Sequence, residues 1–191
     1  MLKNKKKFAL KLKIFRFFIP IILVATPFFS EIKDAKAGLE FQWDQDSGYR
    51  RLKWFQKDNK KRFKNTIYFF FRPLDRKTDL LKINLAIPKS FKSTLKEKNI
   101  KLCKVRIGGF EERTKCLEDI PADVVINTDD SSLRSLDIYP YSPIPSSKDS
   151  YAVVLKIFNP KRSGLYQFHS YGQPKGQSVL SYLGSYTIMI D

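Results

Sequence analysis

The stretch that decides the fold is Leu81–Ile87, which reads Leu-Lys-Ile-Asn-Leu-Ala-Ile. An aliphatic side chain stands at every second position, and Lys82, Asn84 and Ala86 fall between them. Alternation with a period of two is typical of a β-strand that buries one of its faces. Pro88 follows directly, and because proline cannot donate a hydrogen bond to a strand ladder, we expect the strand to end there.

Other short apolar runs follow along the chain, separated by turns rich in Gly, Pro, Asn and Asp. They lie at 67–71, 100–107, 124–127, 136–139, 151–158, 165–171 and 185–190. No long amphipathic helix separates them, and only residues 89–98 suggest a turn or two of helix. We therefore predict an all-β fold for residues 66–191, an antiparallel β-sandwich of immunoglobulin-like or Greek-key type with seven to nine short strands.

The first 37 residues show the order of charge and hydropathy of an export signal. Residues 1–16 carry seven basic side chains and no acid, residues 17–29 are uncharged, and Ala35-Lys36-Ala37 fits the small-x-small rule for cleavage. As a helix, the uncharged run spans only ~20 Å of a ~30 Å hydrocarbon core. We predict a signal peptide over 1–37 and a periplasmic or extracellular location after Sec-type export. The alternative is an uncleaved signal that anchors the chain in the inner membrane.

The remaining 154 residues suffice for one domain with a real core, and their net charge of +10 is unevenly distributed. Residues 50–116 contain 21 basic and 6 acidic side chains, whereas residues 117–191 contain 6 and 8. The chain has a single histidine, two cysteines and no glycine-rich phosphate loop. We accordingly predict no cofactor and no metal site.

The strongest charge cluster falls in residues 38–65, predicted as a basic N-terminal segment that contains aromatic residues. In a cytosolic protein such a cluster would suggest nucleic acid, but export removes that partner, so we expect anionic lipid or an envelope polymer instead. The alternative is a solvated loop or an edge strand whose lysines prevent edge pairing. The candidate binding residues are Arg50, Arg51, Lys53, Trp54, Lys60, Lys61, Arg62 and Lys64.

The two cysteines, Cys103 and Cys116, flank Gly108-Gly109 in the part of the chain that is predicted to be exported. A hairpin that bends at these glycines would place the two sulfur atoms opposite each other, and an oxidising compartment favours their pairing. We predict a structural disulfide. The alternative is a redox-active pair, although such pairs usually lie two residues apart at the start of a helix.

The last third of the chain resembles a known family. Asn159-Pro160-Lys161-Arg162-Ser163-Gly164-Leu165-Tyr166-Gln167-Phe168, then Pro174-Lys175-Gly176 and Tyr182-Leu183-Gly184, is similar to the closing motif of a cyanobacterial family catalogued as domain of unknown function 2808. The resemblance covers about residues 60–190. It implies export, a β-rich domain and a cyanobacterial host, and it brings no activity, ligand or catalytic residue.

The same motif has a physical interpretation. Asn159-Pro160 should end a strand and start a turn, and Gly164 suits a backbone position with positive φ. A tyrosine just after such a corner, here Tyr166, often donates its hydroxyl to nearby backbone. We therefore expect a packing motif, with a binding role for Tyr166 as the alternative.

Catalytic residues are not apparent in the sequence. His169 is the only histidine, and its neighbour Ser170 should point to the opposite face of the strand. We predict a non-catalytic envelope or binding protein. The alternatives are an envelope polysaccharide hydrolase and a carbohydrate-binding module, whose aromatic platform would be Tyr139, Tyr141, Tyr151, Tyr171 and Tyr182.

Overall fold

The computed structural model describes residues 48–109, 111–128 and 134–191. These residues form two five-stranded antiparallel sheets packed face to face, so the predicted all-β sandwich is confirmed. The signal peptide predicted over 1–37 lies outside the described residues. Within the described ranges, no helix has both the length and the hydropathy needed to cross a membrane.

The strands interleave between the sheets. In chain order they are β1 (Trp54–Gln56), β2 (Lys64–Phe71), β3 (Leu80–Ile87), β4 (Ile100–Arg106), β5 (Lys115–Ile120), β6 (Ala122–Thr128), β7 (Arg134–Pro140), β8 (Tyr151–Phe158), β9 (Gly164–Pro174) and β10 (Ser181–Ile190). The first sheet has the order β1-β2-β8-β4-β5, and the second has the order β10-β9-β3-β7-β6. Strand β8 therefore lies between β2 and β4, although its sequence position is remote from both.

The main core lies between the two sheets and is formed by the inward-facing side chains of the strands. Ile83, Leu85 and Ile87 of β3 are fully buried, as the period of two requires. Leu81 is only half-buried because a register shift between Leu80 and Lys82 turns Leu80 into the core instead. Aromatic rings fill the centre: the ring centre of Phe69 lies 4.8 Å from that of Tyr186 and 5.1 Å from that of Phe168.

The sandwich begins earlier in the chain than the predicted boundary at residue 66. Strand β1 pairs with β2 from Trp54↔Phe69 to Gln56↔Ile67, and Leu52 is buried in the main core. Residues 52–65 are thus part of the sandwich. Strands β1 and β5 lie at the two edges of the first sheet and were not among the predicted runs, which brings the number of described strands to ten.

The helix suggested for residues 89–98 is wrong. Residues 89–96 contain no helix, and only a single 3-10 turn, Glu97–Asn99, overlaps the end of the segment. Phe91 is buried in the core and forms edge-to-face contacts with Phe168 and Tyr166. Because a helix would not leave Phe91 and Ser93 facing the core together, tertiary packing overrides the local helix propensity here.

The loops separate into two groups at opposite ends of the strands. Antiparallel pairing places the start of β2 beside the end of β8, since Lys64 pairs with Phe158, and places the start of β4 on the other side of β8 at the same end, since Ile100 pairs with Leu155. Loops 57–63, 88–99 and 159–163 therefore share one end. Loops 72–79, 107–114, 141–150 and 175–180 share the other, where Lys175 N donates to Asp79 O.

Candidate functional site

The first group of loops forms a strongly basic end of the sandwich. We define the basic end by its twelve exposed cationic residues: Lys57, Lys60, Lys61, Arg62, Lys64, Lys89, Lys92, Lys96, Lys98, Lys156, Lys161 and Arg162. The same segments contain only two acids, Asp58 and Glu97. None of the twelve side chains forms an ion pair with an acid of the described part of the chain.

Hydrogen bonds between the loops hold the basic end together. Arg62 N donates to Pro160 O (3.3 Å), and Asn159 N donates to Phe63 O (2.8 Å). From the third loop, the Ser93 hydroxyl donates to Phe158 O (2.6 Å). The basic side chains therefore project from a backbone that is anchored at several points.

Two buried asparagines shape the loop that carries Lys60, Lys61 and Arg62. The Asn159 side chain is 4% exposed, and its Nδ2 donates to Asp58 O (3.2 Å) and Lys60 O (2.9 Å). Its Oδ1 accepts from Asn65 Nδ2 at 2.9 Å. Asn65 Oδ1 in turn accepts the backbone N–H groups of Lys57 and Asp58. The first residue of the family motif thus positions the basic loop.

The predicted binding residues do not all lie together. Lys60, Lys61, Arg62 and Lys64 belong to the basic end, whereas Arg50, Arg51, Lys53 and Trp54 lie toward the other end of β2. Arg50 donates to Leu74 O and pairs with the buried Asp75 at 3.4 Å. Trp54 is half-buried, and its side chain packs against the main core.

Two phenylalanines are exposed among the cations of the basic end. Phe63 and Phe158 retain 55% and 64% of their surface in solvent. The ammonium group of Lys60 lies 5.7 Å from the centre of the Phe63 ring. The sequence suggested Trp54 as the aromatic partner of the cations, but the structure gives that position to Phe63 and Phe158.

Several cations at the opposite end of the sandwich form ion pairs. Arg72 contacts Asp75 at 2.9 Å, Lys104 contacts Asp149 at 2.8 Å, and Arg106 contacts Glu112 at 3.1 Å. Hydrogen bonding to Asp75 raises the pKa of Arg72 above its ordinary value. The four loops of this end contain six basic and five acidic side chains, so the excess positive charge is concentrated at the basic end.

The remaining motif residues have backbone and packing roles. Tyr166 donates its hydroxyl to Arg162 O at 2.6 Å, as predicted for a tyrosine after a corner, and Gly164 has a φ of +148°. Gly184 has a φ of +145°, and a Cβ atom there would lie 2.6 Å from Arg50 O. The other motif residues lie in or next to the turn between β9 and β10: Pro174 at the end of β9 and Leu183 in β10 are buried, Gly176 in the turn has positive φ, and Tyr182 in β10 is exposed.

The predicted disulfide between Cys103 and Cys116 is confirmed. It joins β4 to β5 across a hairpin, with the two Cα atoms 5.7 Å apart. The loop contains the predicted glycines, and a Cβ atom at Gly108 would lie 2.5 Å from Thr114 N. Asp119 lies near both sulfur atoms, but these are bonded to each other and are not free to ligate a metal ion.

His169 contacts a serine that the sequence did not suggest. Its Nδ1 lies 2.7 Å from the hydroxyl of Ser185 on the neighbouring strand β10, and Tyr182 OH lies 2.6 Å from the same hydroxyl. A nucleophilic serine must be open to its substrate, whereas Ser185 is fully buried. No described carboxylate bonds the imidazole. The arrangement is a structural hydrogen-bond network.

Four of the five tyrosines proposed as an aromatic platform lie on or beside the outer face of the second sheet. Tyr171 and Tyr182 have ring centres 5.6 Å apart, the Tyr139 ring lies 4.8 Å from the Lys82 ammonium, and Tyr141 donates to Asp123. The fifth, Tyr151, is 5% exposed, and Arg76 covers its ring. It is therefore unavailable for a ligand.

A polar cluster around Asp137 occupies the centre of this face. Asp137 accepts hydrogen bonds from Asn84 (2.6 Å) and Asn127 (2.9 Å) and pairs with Lys82 at 3.0 Å. Burial opposes ionisation, but these three donors outweigh it and hold the pKa of Asp137 below its ordinary value. The carboxylate is consequently charged at neutral pH, and its partners neutralise it.

Comparisons with known proteins identify solved structures of similar fold and the family to which this chain belongs. The bacterial hydrophobin BslA is 12% identical, with a TM-score of 0.43 and coverage of 75% of this chain and 95% of its own. The collagen-binding subdomain of the Enterococcus faecalis surface protein ACE is 10% identical, with a TM-score of 0.39 and coverage of 71% and 95%. The collagen-binding domain of a Staphylococcus aureus adhesin is 13% identical, with a TM-score of 0.36 and coverage of 72% and 95%.

No curated protein sequence matches the chain. A family match, by contrast, extends over residues 44–190 and includes every strand described above. It also contains the loops of the basic end and all of the closing motif from Asn159 to Gly184. The chain therefore belongs to the family described as protein of unknown function DUF2808.

Proposed function

We propose that this protein is an exported, non-catalytic binding protein of the cell envelope that attaches to anionic surfaces through its basic end. The proposed partners are anionic lipid headgroups or a charged envelope polymer. The observation that carries the proposal is the set of twelve exposed cations, ten in three interconnected loops and two on the adjoining strands β2 and β8, unpaired with any described acid. Export by the predicted signal peptide over 1–37 would deliver this end to the periplasm or the cell exterior.

The size of the effect follows from membrane electrostatics. Each base close to an anionic surface contributes roughly 1 kcal/mol, and the attraction extends over a Debye length of about 8 Å at physiological salt. Only the cations that contact the anionic surface at the same time contribute to the binding energy. Even six of the twelve would therefore give substantial binding. Phe63 and Phe158 retain exposed rings that can enter the headgroup region of a bilayer, which a soluble polymer would not require.

The test is co-sedimentation of the mature protein with phosphatidylglycerol vesicles at low and high salt. We expect the variant with Lys60, Lys61, Arg62 and Lys161 changed to Gln to bind much more weakly than the wild type. The matched control changes four exposed cations of the opposite end, Lys77, Lys115, Lys148 and Lys175, to Gln. Equal binding by both variants, or binding that ignores salt, would contradict the proposal.

A second candidate function is carbohydrate binding at the outer face of the second sheet. The exposed rings of Tyr139, Tyr141 and Tyr182, together with Tyr171, are the supporting observation, because aromatic rings stack on sugars beside polar groups. Affinity electrophoresis in gels that contain envelope polysaccharide is the test. A Tyr139→Ala/Tyr182→Ala variant should migrate faster than the wild type in these gels, and equal retardation would rule this function out.

A further inference from the structure

The basic end contains a cleft that lysines and other polar residues line together with Ile157 and Phe158. The cleft has a volume of about 470 Å³. Four lysines line it, Lys64, Lys96, Lys98 and Lys156, together with the polar side chains of Thr94 and Asn99. No acidic residue of the described chain lines it. Four of the twelve cations therefore surround one concave site.

The fold builds this cleft from strands and an anchored loop. Pairing of β2 with β8 places Lys64 opposite Phe158, with Lys156 on the same face of the sheet two residues earlier. The loop with Lys96 and Lys98 is tied to β8 through the bond from the Ser93 hydroxyl to Phe158 O. Arg134 holds the other side of that loop by donating to the carbonyl oxygens of Phe91 and Ser93.

Charge and chemistry indicate the ligand class. Four ammonium groups around one cleft repel one another, and a ligand with more than one negative charge relieves this repulsion most. A phosphate monoester carries a charge of about −1.5 to −2 at pH 7 and three strong acceptor oxygens. Lysine binds such a group as a compact point charge, and side chains such as Thr94 and Asn99 can donate further hydrogen bonds.

We propose that the four-lysine cleft is a specific site for a phosphate-bearing ligand with at least two negative charges, either a lipid headgroup or a soluble phosphate compound. The inference rests on the proposed function, because it assigns a selective site within the same basic end. It predicts a preference for phosphomonoesters over phosphodiesters, which a general electrostatic attraction does not.

The first experiment uses inorganic pyrophosphate as the probe and isothermal titration calorimetry as the readout. The cleft variant changes Lys64, Lys96, Lys98 and Lys156 to Gln. The matched variant removes the same charge from the same end but outside the cleft, at Lys60, Lys61, Arg62 and Lys161. We expect one saturable site in the wild type, a loss of affinity of at least about tenfold in the cleft variant, and a loss of at most about threefold in the matched variant.

The second experiment identifies the source of the phosphate. Phosphatidylcholine vesicles with phosphatidic acid are compared with vesicles that carry phosphatidylglycerol at equal charge. Cleft-dependent preference for phosphatidic acid supports a lipid headgroup, and cleft-dependent pyrophosphate binding without that preference supports a soluble phosphate compound. The double variant Lys96→Gln/Lys98→Gln, confined to an exposed loop, repeats both measurements if the fourfold variant does not fold.

The outcomes separate the two proposals. If both fourfold variants lose affinity equally, the basic end acts only through its total charge, so the cleft proposal is overturned and the proposed function stands. Absence of both pyrophosphate binding and a preference for phosphatidic acid also overturns the cleft proposal. Failure of the wild type to bind any anionic vesicle or pyrophosphate overturns both.

Discussion

Replacing Asn159 by alanine should destabilise the sandwich, because this buried amide joins β8 to the basic loop. The change removes two donated hydrogen bonds, to Asp58 O and Lys60 O, and one accepted from Asn65 Nδ2. Asn65 is 1% exposed, so its Nδ2 group would remain buried without an acceptor at a cost of about 1–3 kcal/mol. The two carbonyl groups lie in a surface loop where water can replace part of the loss. We expect a total loss of about 2–4 kcal/mol in the free energy of unfolding.

Urea unfolding of Asn159→Ala measures this loss. Asn59→Ala is the control, because its amide lies in the same loop but contacts only the exposed Asp191, and its effect should stay within about 0.5 kcal/mol. Hydrogen exchange gives a local readout, since the amides of Lys61 and Arg62 donate to backbone of other segments and should lose protection. A loss no larger than that of the control, or unchanged protection, would refute the anchoring role of Asn159.

Three further predictions concern export, the disulfide and acid stability. If the proposed signal peptide is removed after Ala37, the intact mass of protein from an envelope fraction should correspond to a chain that begins at Gly38, whereas a full-length mass would indicate the membrane anchor. Changing Cys103 and Cys116 to Ser should lower the free energy of unfolding in urea by about 3 kcal/mol, and an unchanged midpoint would contradict this. Because the pKa of Asp137 is lowered in the folded state, its ionised carboxylate stabilises the fold at pH values above 3.8, the ordinary pKa of the group. This contribution is lost as the pH falls through the folded-state pKa. Asp137→Asn should therefore flatten the acid side of the stability profile, and a profile parallel to that of the wild type would exclude this contribution.

The fold was predictable where a strand buries one face, and less so where it does not. In β3 the alternation identified Ile83, Leu85 and Ile87 as core residues, but it gave Leu81 in place of Leu80 because of the register shift between Leu80 and Lys82. Strand β5 has no such alternation, because an edge strand exposes most of its side chains and its sequence records little of the burial. The disulfide was predictable because both cysteines and the hairpin glycines are local in the sequence.

The candidate site was predictable only in part, for a topological reason. Composition identified Lys60, Lys61, Arg62 and Lys64, which are close in sequence, but it also joined them to Arg50, whose charge Asp75 compensates. The contribution of Lys156 depends on the insertion of β8 between β2 and β4, and no local pattern specifies that order.

The distribution of charge over the fold favours binding over solubility as the role of the basic end. Solubility requires only a net charge, and charge spread evenly over the surface would supply it with less repulsion. Here the loops of the opposite end balance six basic side chains with five acidic ones, and Arg72, Lys104 and Arg106 form ion pairs, whereas the basic end has no such pairs among the described residues. Two buried asparagines and the Ser93 hydroxyl hold its loops in place. This concentration of like charge costs stability in the free protein. An anionic partner that relieves the repulsion therefore binds the folded end more tightly than the unfolded chain. Such a partner should raise the unfolding temperature.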